Sequence, residues 1–470
     1  MLLRILLLLA LLPLGSLWAQ PSSDSLHVIE HGHPKVSPSL KQELRAGTFS
    51  FHTRSFFMST LNRGDLLDYS TLATGGGMAY QSPRFRGFSM GLSGFFVFQV
   101  YEHNVRIADP STGNVNRYEI LLYDMNDLSN TSDLDRLEDL YLDYQYRGWA
   151  FRFGQQEVHS PFLNSQDNRM RHNSFSGITA SFTSHKSKMT AAWLQRVNMR
   201  GTVDWFRIED SFGVYPFGRN PLGDPSAYKG MIKSSGVGLL GWQYSPSERS
   251  ELQFWNYHSD RVFNMSFAQV EGSLDAKAGK WLYGLQGLYQ LPVGNGGNSI
   301  PEQAYMDPSS RGQAIGTRIG WKDRRSRLLL NTLYIDARGR FLFPREWGRE
   351  QFFVSLPRER HEGSGGVRAI SATYELQLVK DGKEGLHLLW GAALVDNPSI
   401  DNFALNKYGV PSYYHFVASA DYRFRKYLEG LEVALIITQK TATRPAEVED
   451  IFRINRVDMW NFSAIVNYRF

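Results

Sequence analysis

Cysteine is absent from the 470 residues of this chain. The chain therefore cannot contain a disulfide scaffold, a cysteine-ligated zinc site, an iron–sulfur cluster or a cysteine nucleophile. Long apolar runs are also missing after residue 19, and the mean hydropathy is only −0.34. This hydropathy excludes a membrane protein built from several spanning helices, because each such helix needs about 20 apolar residues.

The chain also lacks a marked excess of positive or negative charge. The chain has 51 Lys and Arg against 46 Asp and Glu, a formal net charge of +5. No basic block stands apart from acidic residues, so we expect no nucleic-acid partner. Aromatic residues and glycine are abundant, with 30 Phe, 23 Tyr, 11 Trp and 42 Gly. A moderately apolar chain with this composition is typical of all-β proteins, including outer-membrane barrels.

Residues 1–19 have the pattern of a secretory signal peptide, with Arg4 before an apolar run and Ala19 at its end. The apolar run is too short for a spanning helix, and no cysteine follows it for lipid attachment. We therefore expect export across the inner membrane and cleavage before Gln20. Residues 20–44 are expected to form a loosely ordered lead-in, and residues 45–470 a transmembrane β-barrel.

The last twelve residues alternate between an apolar and a polar face, with Ile465 as the exception. Because side chains alternate sides along a strand, this segment predicts a strand with one face in lipid, and its length suffices to span a bilayer. The C-terminal Phe470 resembles the terminal signal that the barrel assembly machinery reads. The apolar face comprises Trp460, Phe462, Ala464, Val466, Tyr468 and Phe470, opposite Asn461, Ser463, Asn467 and Arg469.

The same alternation recurs in residues 88–99, 140–147, 370–378 and 416–424. Charged residues within such strands require that their face meets water, which a closed barrel with a wet lumen provides. At about 10 residues per strand, the chain accommodates about 18 strands, although counts from 14 to 20 remain compatible. The fold class predicted is therefore an all-β, antiparallel transmembrane barrel. Its long loops are expected outside the cell and its short turns in the periplasm.

Several stretches resemble the OprD-type outer-membrane porins, also called outer-membrane carboxylate channels. They comprise residues 154–156, 161–170 and 173–177 in one region, 343–350 with 356–360 and 362–363 in a second, and 54–57, 75–77 and 86–89 in a third. The resemblance implies a monomeric channel of 18 strands, constricted by loops that fold into the lumen. It also implies a series of lumenal arginines that guides small carboxylate-bearing solutes. Substrate identity does not carry over, because the loops match less well.

Arginines are the candidate pore and substrate-binding residues. A guanidinium stays charged and can bind a carboxylate through two parallel hydrogen bonds, and several weak sites in series let an anion enter and leave. The alternative is structural pairing, in the lumen with Asp143, Glu375 or Asp421 and in the loops with Asp167, Glu346, Glu350 or Glu359. Strand parity points Arg54, Arg147, Arg152, Arg318 and Arg423 inward, and the motifs contribute Arg169, Arg345, Arg349, Arg358 and Arg360 together with Asp167.

The sequence thus predicts a porin for small solutes in the bacterial outer membrane, in contact with lipid and lipopolysaccharide. Two other functions remain open: a barrel enzyme of the lipase or protease type, and a closed structural or adhesive barrel. No grouped Ser/His/Asp set supports the first, so we expect no enzyme activity and no cofactor. We also expect no metal site, because His27, His31 and His33 lack a carboxylate constellation and the Asp-rich stretch 124–139 lacks the spacing of an EF-hand loop.

Overall fold

The computed structural model describes residues 47–215, 218–380 and 384–470, and the predicted signal peptide and lead-in lie outside the described residues. Eighteen antiparallel strands close into a barrel, in agreement with the predicted fold class. The strands are β1 (Thr48–Asn62), β2 (Tyr69–Gln81), β3 (Phe88–His103), β4 (Arg136–Tyr146), β5 (Trp149–Gln156), β6 (Ser174–Thr183), β7 (Ser187–Asn198), β9 (Val237–Ser247), β10 (Ser250–Ser259), β11 (Phe263–Ala276), β12 (Gly279–Pro292), β13 (Gly312–Lys322), β14 (Ser326–Ile335), β15 (Val367–Lys380), β16 (Glu384–Asp396), β17 (Tyr413–Arg423), β18 (Leu431–Ala442) and β19 (Met459–Arg469).

A further short strand, β8 (Phe206–Arg207), pairs with the end of β7 inside the connection to β9. Helical structure within the described ranges is limited to single turns, and none of these helices is long and apolar enough to cross a membrane. The turns are Glu119–Leu122, Ile208–Ser211, Pro301–Gln303, Lys426–Leu428, Pro445–Glu447 and Asp450–Arg453.

The barrel closes where β1 pairs with β19, from His52 opposite Arg469 to Asn62 opposite Met459. At the end of this seam, Phe51 and Phe470 exchange two backbone hydrogen bonds of 2.9 Å. Their rings stack with centroids 5.7 Å apart. The C-terminal residue therefore continues the ladder and adds an aromatic ring to the outer surface.

Alternation along the strands separates an apolar outer face from a polar inner one. On β19, Trp460 is 47% exposed whereas Asn461 is 1% exposed, as the alternation predicts. Aromatic side chains gather on the outer face near the short turns, as in the pair Trp281 and Trp321 with ring centroids 5.0 Å apart. Such aromatic girdles mark the membrane–water interface of transmembrane barrels.

The two ends of the barrel differ in the length of their connections. Short turns such as 147–148, 248–249 and 277–278 lie at one end of the barrel, the end at which β1 begins and β19 ends. The opposite end carries the long connections 104–135, 157–173, 199–236 and 336–366. Since short turns of such barrels face the periplasm, the long connections are the extracellular loops.

These loops fold into the barrel and form an aromatic core there. Phe162 of the 157–173 loop is fully buried against Tyr257 and Phe267 of the wall, at ring-centroid distances of 5.6 and 5.1 Å. Trp347 of the 336–366 loop is also fully buried, and its indole N–H donates to Ser211 Oγ at 2.8 Å. Burial of such large rings fixes the loops as an internal layer rather than as solvated surface.

We predict that Phe470→Ser reduces the amount of assembled barrel, because it removes the aromatic ring from the last position of the seam. The matched control is Phe49→Ser, which removes an outward ring that is 59% exposed on β1. The readout is the folded, heat-modifiable band in the outer-membrane fraction. Equal recovery of the two variants would show that the terminal ring is dispensable.

The strand register predicts the environment of single cysteines, which the native chain lacks. A cysteine at Tyr422 should react with lipid-soluble maleimides. One at the adjacent Asp421, whose side chain is 46% exposed toward the lumen, should react with water-soluble reagents. A reversed pattern would mean that the register is shifted by one residue, since such a shift exchanges the two faces.

Candidate functional site

A cavity of about 130 Å³ lies where the inward loops meet. Eight arginines and one lysine line it, whereas Glu359 is its one lining carboxylate among the described residues. The cationic lining consists of Arg117, Arg169, Arg200, Arg345, Arg349, Arg358, Arg360, Arg456 and Lys440. All five motif arginines predicted from the sequence are in this set.

Arg358 ties the 336–366 loop to the barrel wall. Its backbone adopts a left-handed conformation with φ of 64°, which turns the side chain toward β19. The guanidinium donates to Asn461 Oδ1 at 3.1 Å and to Ser463 Oγ at 2.7 Å. Lys440 of β18 donates to the Arg358 carbonyl at 2.9 Å. Two adjacent strands therefore fix the position of this arginine.

The other arginines of that loop are held by acceptors within the loop layer. Arg345 pairs with Glu362 at 2.7 Å and stacks 3.6 Å from the ring centroid of Tyr408. Arg349 donates to the carbonyls of Leu356 and Glu359 at 2.6 and 3.2 Å. These contacts fix the planes of the guanidinium groups, so the cavity lining is preorganised.

Arg360 links the two loops that carry the sequence motifs. It donates to Gln166 Oε1 at 3.1 Å and lies 3.6 Å from Glu350 Oε2. Glu350 in turn accepts the backbone N–H of His361 at 2.6 Å. The pairing of loop carboxylates with motif arginines, which the sequence left as an alternative, thus coexists with a position in the cavity lining.

Positive charge in the cavity exceeds what the nearby carboxylates neutralise. Arg169 is 2% exposed, and its Nε has no hydrogen-bond partner among the described residues. Burial, together with repulsion from Arg358 and Arg200, lowers the pKa of Arg169 well below its usual range. Burial likewise lowers the pKa of Arg200 to about 9 and that of Arg358 to about 10. An anion in the cavity would stabilise all three charged groups.

Glu359 offsets only part of this excess, because it carries one negative charge and its oxygens already accept other hydrogen bonds. It accepts hydrogen bonds from the Tyr413 hydroxyl at 3.0 Å and from the backbone N–H of Leu356 at 2.9 Å. Burial opposes its charge, but the hydrogen bond and charge of His415 outweigh burial and hold the pKa of Glu359 below its usual range.

Arg54 and Asp167 form a latch between the wall and the 157–173 loop. Arg54 of β1 donates to Asp167 at 2.5 Å and to the carbonyl of Arg169 at 2.6 Å. Its Nε also donates to Asn467 of β19 at 2.7 Å. Arg54 therefore lies inward, as strand parity indicates, and holds the loop in place. Its partner Asp167 lines the larger chamber described below.

Three more of the arginines that strand parity points inward are paired with carboxylates. Arg318 lies 2.7 Å from Glu271 and 4.0 Å from the ring centroid of Phe353. Arg152 lies 3.3 Å from Asp143. Arg423 lies 3.0 Å from Glu432, and its side chain is 71% exposed. These three arginines do not line the arginine cavity.

The inward position predicted for Arg147 is wrong. Arg147 and Gly148 form the two-residue turn between β4 and β5, with φ of 46° and 86°. The Arg147 guanidinium lies over the ring of Tyr146 at 5.1 Å, at the periplasmic rim. The alternation of β4 ends at Tyr146, so parity does not extend to the turn.

A larger chamber of about 710 Å³ adjoins the arginine cavity. The two spaces share Gln166, Asn168 and Arg349 as lining residues. The chamber is mostly lined by uncharged polar groups, with Arg318 and Glu271 on its wall. The loop segment 166–168 therefore separates a small cationic space from a wide polar one.

Sequence reasoning missed four cationic residues of the lining. Lys440 could have been found by parity, because Leu435 and Ile437 of β18 are exposed on the outer face and Lys440 has the opposite parity. Arg117, Arg200 and Arg456 lie in loops without periodicity and outside the motifs. No signal in the sequence alone brings them together.

The architecture defines the class of protein, a transmembrane β-barrel with loops folded into its lumen. No family model matches the chain, and no curated protein does. Solved structures do match. OccAB4 of Acinetobacter baumannii is 13% identical with a TM-score of 0.70, and the match covers 90% of this chain and 98% of that one. For two Pseudomonas aeruginosa structures the match covers 91% of this chain and 99% of theirs: OccK9 (OpdG), at 12% identity and a TM-score of 0.70, and OpdK with vanillate, at 14% identity and a TM-score of 0.67.

The chain therefore has the fold of the OprD-type outer-membrane channels, and the resemblance seen in the sequence motifs is confirmed. At 12–14% identity, the likeness to these structures shows a shared fold, a closed β-barrel with long loops folded into its lumen.

We predict that Asp167→Asn increases both the mean conductance and the current fluctuations of single channels. The change leaves Arg54 without a carboxylate partner and loosens the latch on the 157–173 loop. The control is Asp143→Asn, because Asp143 contacts Arg84 and Arg152 but no residue of that loop. Single-channel recordings of Asp167→Asn that match those of the control would contradict the role of the latch.

Proposed function

We propose that this barrel conducts small carboxylate-bearing solutes selectively through the arginine cavity. The observation that carries the proposal is the charge of that cavity, where the described part of the chain contributes nine cationic side chains and a single carboxylate to the lining. The net charge of the whole chain is only +5, so selectivity has to come from the placement of these charges.

The chemistry of the lining suits a carboxylate. Guanidinium groups bind a carboxylate through two parallel hydrogen bonds, and their planes are already fixed by the contacts of Arg345, Arg349 and Arg358. Several such groups in series exchange the anion from one weak site to the next, which permits both entry and exit. Water-poor walls strengthen each interaction relative to bulk water.

The order of the spaces supports a path for the solute. An anion entering from outside would meet the arginine cavity first, pass the 166–168 segment and then reach the wide polar chamber. Arg318 in that chamber, and Arg152 and Arg423 further along the wall, are proposed as weaker sites because each already has a carboxylate partner. Asp167 acts on the path through Arg54 and the loop.

One matched structure, that of OpdK, was solved with vanillate. A carboxylate ligand in a barrel of the same fold supports the proposed solute class for this chain. We further propose that the channel acts as a monomer, lies among outer-membrane lipid and lipopolysaccharide, and is inserted by the barrel assembly machinery.

We predict that Arg345→Gln and Arg349→Gln each lower the anion-to-cation permeability ratio, since each removes one charge from the cavity. A unit charge at 4 Å in a water-like medium is worth about 1 kcal/mol, which corresponds to about a fivefold change. The matched control is Arg147→Gln at the periplasmic turn, which should leave the ratio unchanged. Reversal potentials in a salt gradient measure it.

The effect should shrink at about 1 M salt, where the Debye length falls to about 3 Å. If the native channel is selective for cations and neither cavity substitution changes that selectivity, the carboxylate proposal is wrong, although the barrel would still be a porin.

A further inference from the structure

Three metal-ligating side chains converge at the base of the 157–173 loop, away from the arginine cavity. Asp139, Glu157 and His172 each offer one ligand atom, and these atoms all lie within 4.8 Å of one another. Asp139 belongs to β4, Glu157 directly follows β5, and His172 lies just before β6. The cluster therefore joins both ends of the loop to the barrel wall.

A β-bulge in β4 brings a further carboxylate, Glu138, to the inner side of the wall beside Asp139. Ser93 of β3 pairs with Asp139 whereas Gly94 pairs with Leu137, so Glu138 has no partner in the β3 ladder. Leu137 and Leu140 are exposed on the outer face, and Glu138 and Asp139 between them both lie on the inner side. Bulges of this kind re-aim side chains and are frequent beside functional sites.

Two of the ligand groups have a buried side-chain atom without a hydrogen-bond partner among the described residues. Asp139 Oδ2 accepts the Ser93 hydroxyl at 2.8 Å, but Asp139 Oδ1 has no hydrogen-bond partner among the described residues. The same holds for Nε2 of His172. Buried polar atoms without partners are costly, and a bound cation would satisfy both of them.

The carboxylate of Glu138 also lies beside the His172 ring, on the side of Nδ1. Glu138 Oε2 lies 3.7 Å from Nδ1 of His172. The other oxygen of Glu138 accepts a hydrogen bond from the Arg136 guanidinium at 3.0 Å. On the other side of the ring, Nε2 lies 3.7 Å from Glu157 Oε1. Metal-bound histidines usually have such a carboxylate on the nitrogen that does not bind the metal, where it fixes the tautomer and the ring orientation.

We propose that Asp139, Glu157 and His172 bind one divalent transition-metal ion, with Zn²⁺ as the probe that fits best. One imidazole and two carboxylates suit zinc-like ions. In a tetrahedral site, ligand distances of about 2.0–2.2 Å place the donor atoms about 3.4 Å apart, so side-chain rotations have to draw the three groups together. The bound ion would fasten both ends of the loop that carries Asp167 and Arg169. This proposal does not depend on the solute that the channel conducts.

The test is zinc binding to the detergent-solubilised barrel, measured by equilibrium dialysis with metal analysis. His27, His31 and His33 are replaced by alanine in all samples so that the N-terminal histidines add no binding. We expect one Zn²⁺ per barrel, and an affinity reduced by about 10- to 100-fold or more in Asp139→Asn and His172→Gln. The matched controls are Asp275→Asn and His103→Gln, which lie outside the cluster.

Heat-modifiable gel mobility reports whether each variant is folded. If the Asp139 or His172 variants fail to fold, Glu157→Gln carries the test, because Glu157 lies outside the strands with a side chain that is 36% exposed. Absence of stoichiometric zinc at micromolar concentrations, or equal binding by Glu157→Gln and the controls, would overturn the proposal. In that case His172 is ion-paired with the neighbouring carboxylates and the cluster holds no metal.

Discussion

The hydrogen-bonding demand of a backbone in hydrocarbon is the constraint on which the rest of this structure depends. No water is available there to satisfy a strand edge, so the sheet must close on itself. The sheet closes where β1 pairs with β19, and the two backbone hydrogen bonds between Phe51 and Phe470 complete this pairing. A barrel of eighteen strands encloses more space than wall side chains can fill. The long loops occupy that space and build the cavities.

Filling the lumen with loops places charged side chains where water is scarce, and this explains how the arginines are held. The motif arginines are held by acceptors of their own loop, of a neighbouring loop or of the wall, as Arg349 is by the Leu356 carbonyl and Arg358 by Asn461 and Ser463. The same contacts that stabilise the loops orient the guanidinium groups toward one small space. We propose that the excess of positive charge that remains binds the solute, so that one arrangement serves both structural pairing and solute binding.

Much of the wall could be predicted from the sequence, because alternation is a local property of a strand. It placed Trp460 outside and Asn461 inside correctly, and it failed for Arg147, where the strand had already ended. The motifs located the loop arginines of the cavity, but only through resemblance to a family. Arg117, Arg200 and Arg456 were out of reach, because their proximity depends on how separate loops pack. The cluster around Asp139 was missed for a related reason: Glu157 and His172 lie at opposite ends of a loop and come together beside β4 only in the fold.

The central claim is that fixed arginines in the lumen select carboxylates, and liposome swelling with two solutes of similar size tests it most directly. Glucuronate and glucose differ mainly in one carboxylate, and neither crosses the lipid bilayer readily. Proteoliposomes of the native barrel should swell faster in glucuronate, and this preference should decline in the Arg345→Gln and Arg349→Gln variants. Equal rates, or faster swelling in glucose with the native barrel, would contradict the account.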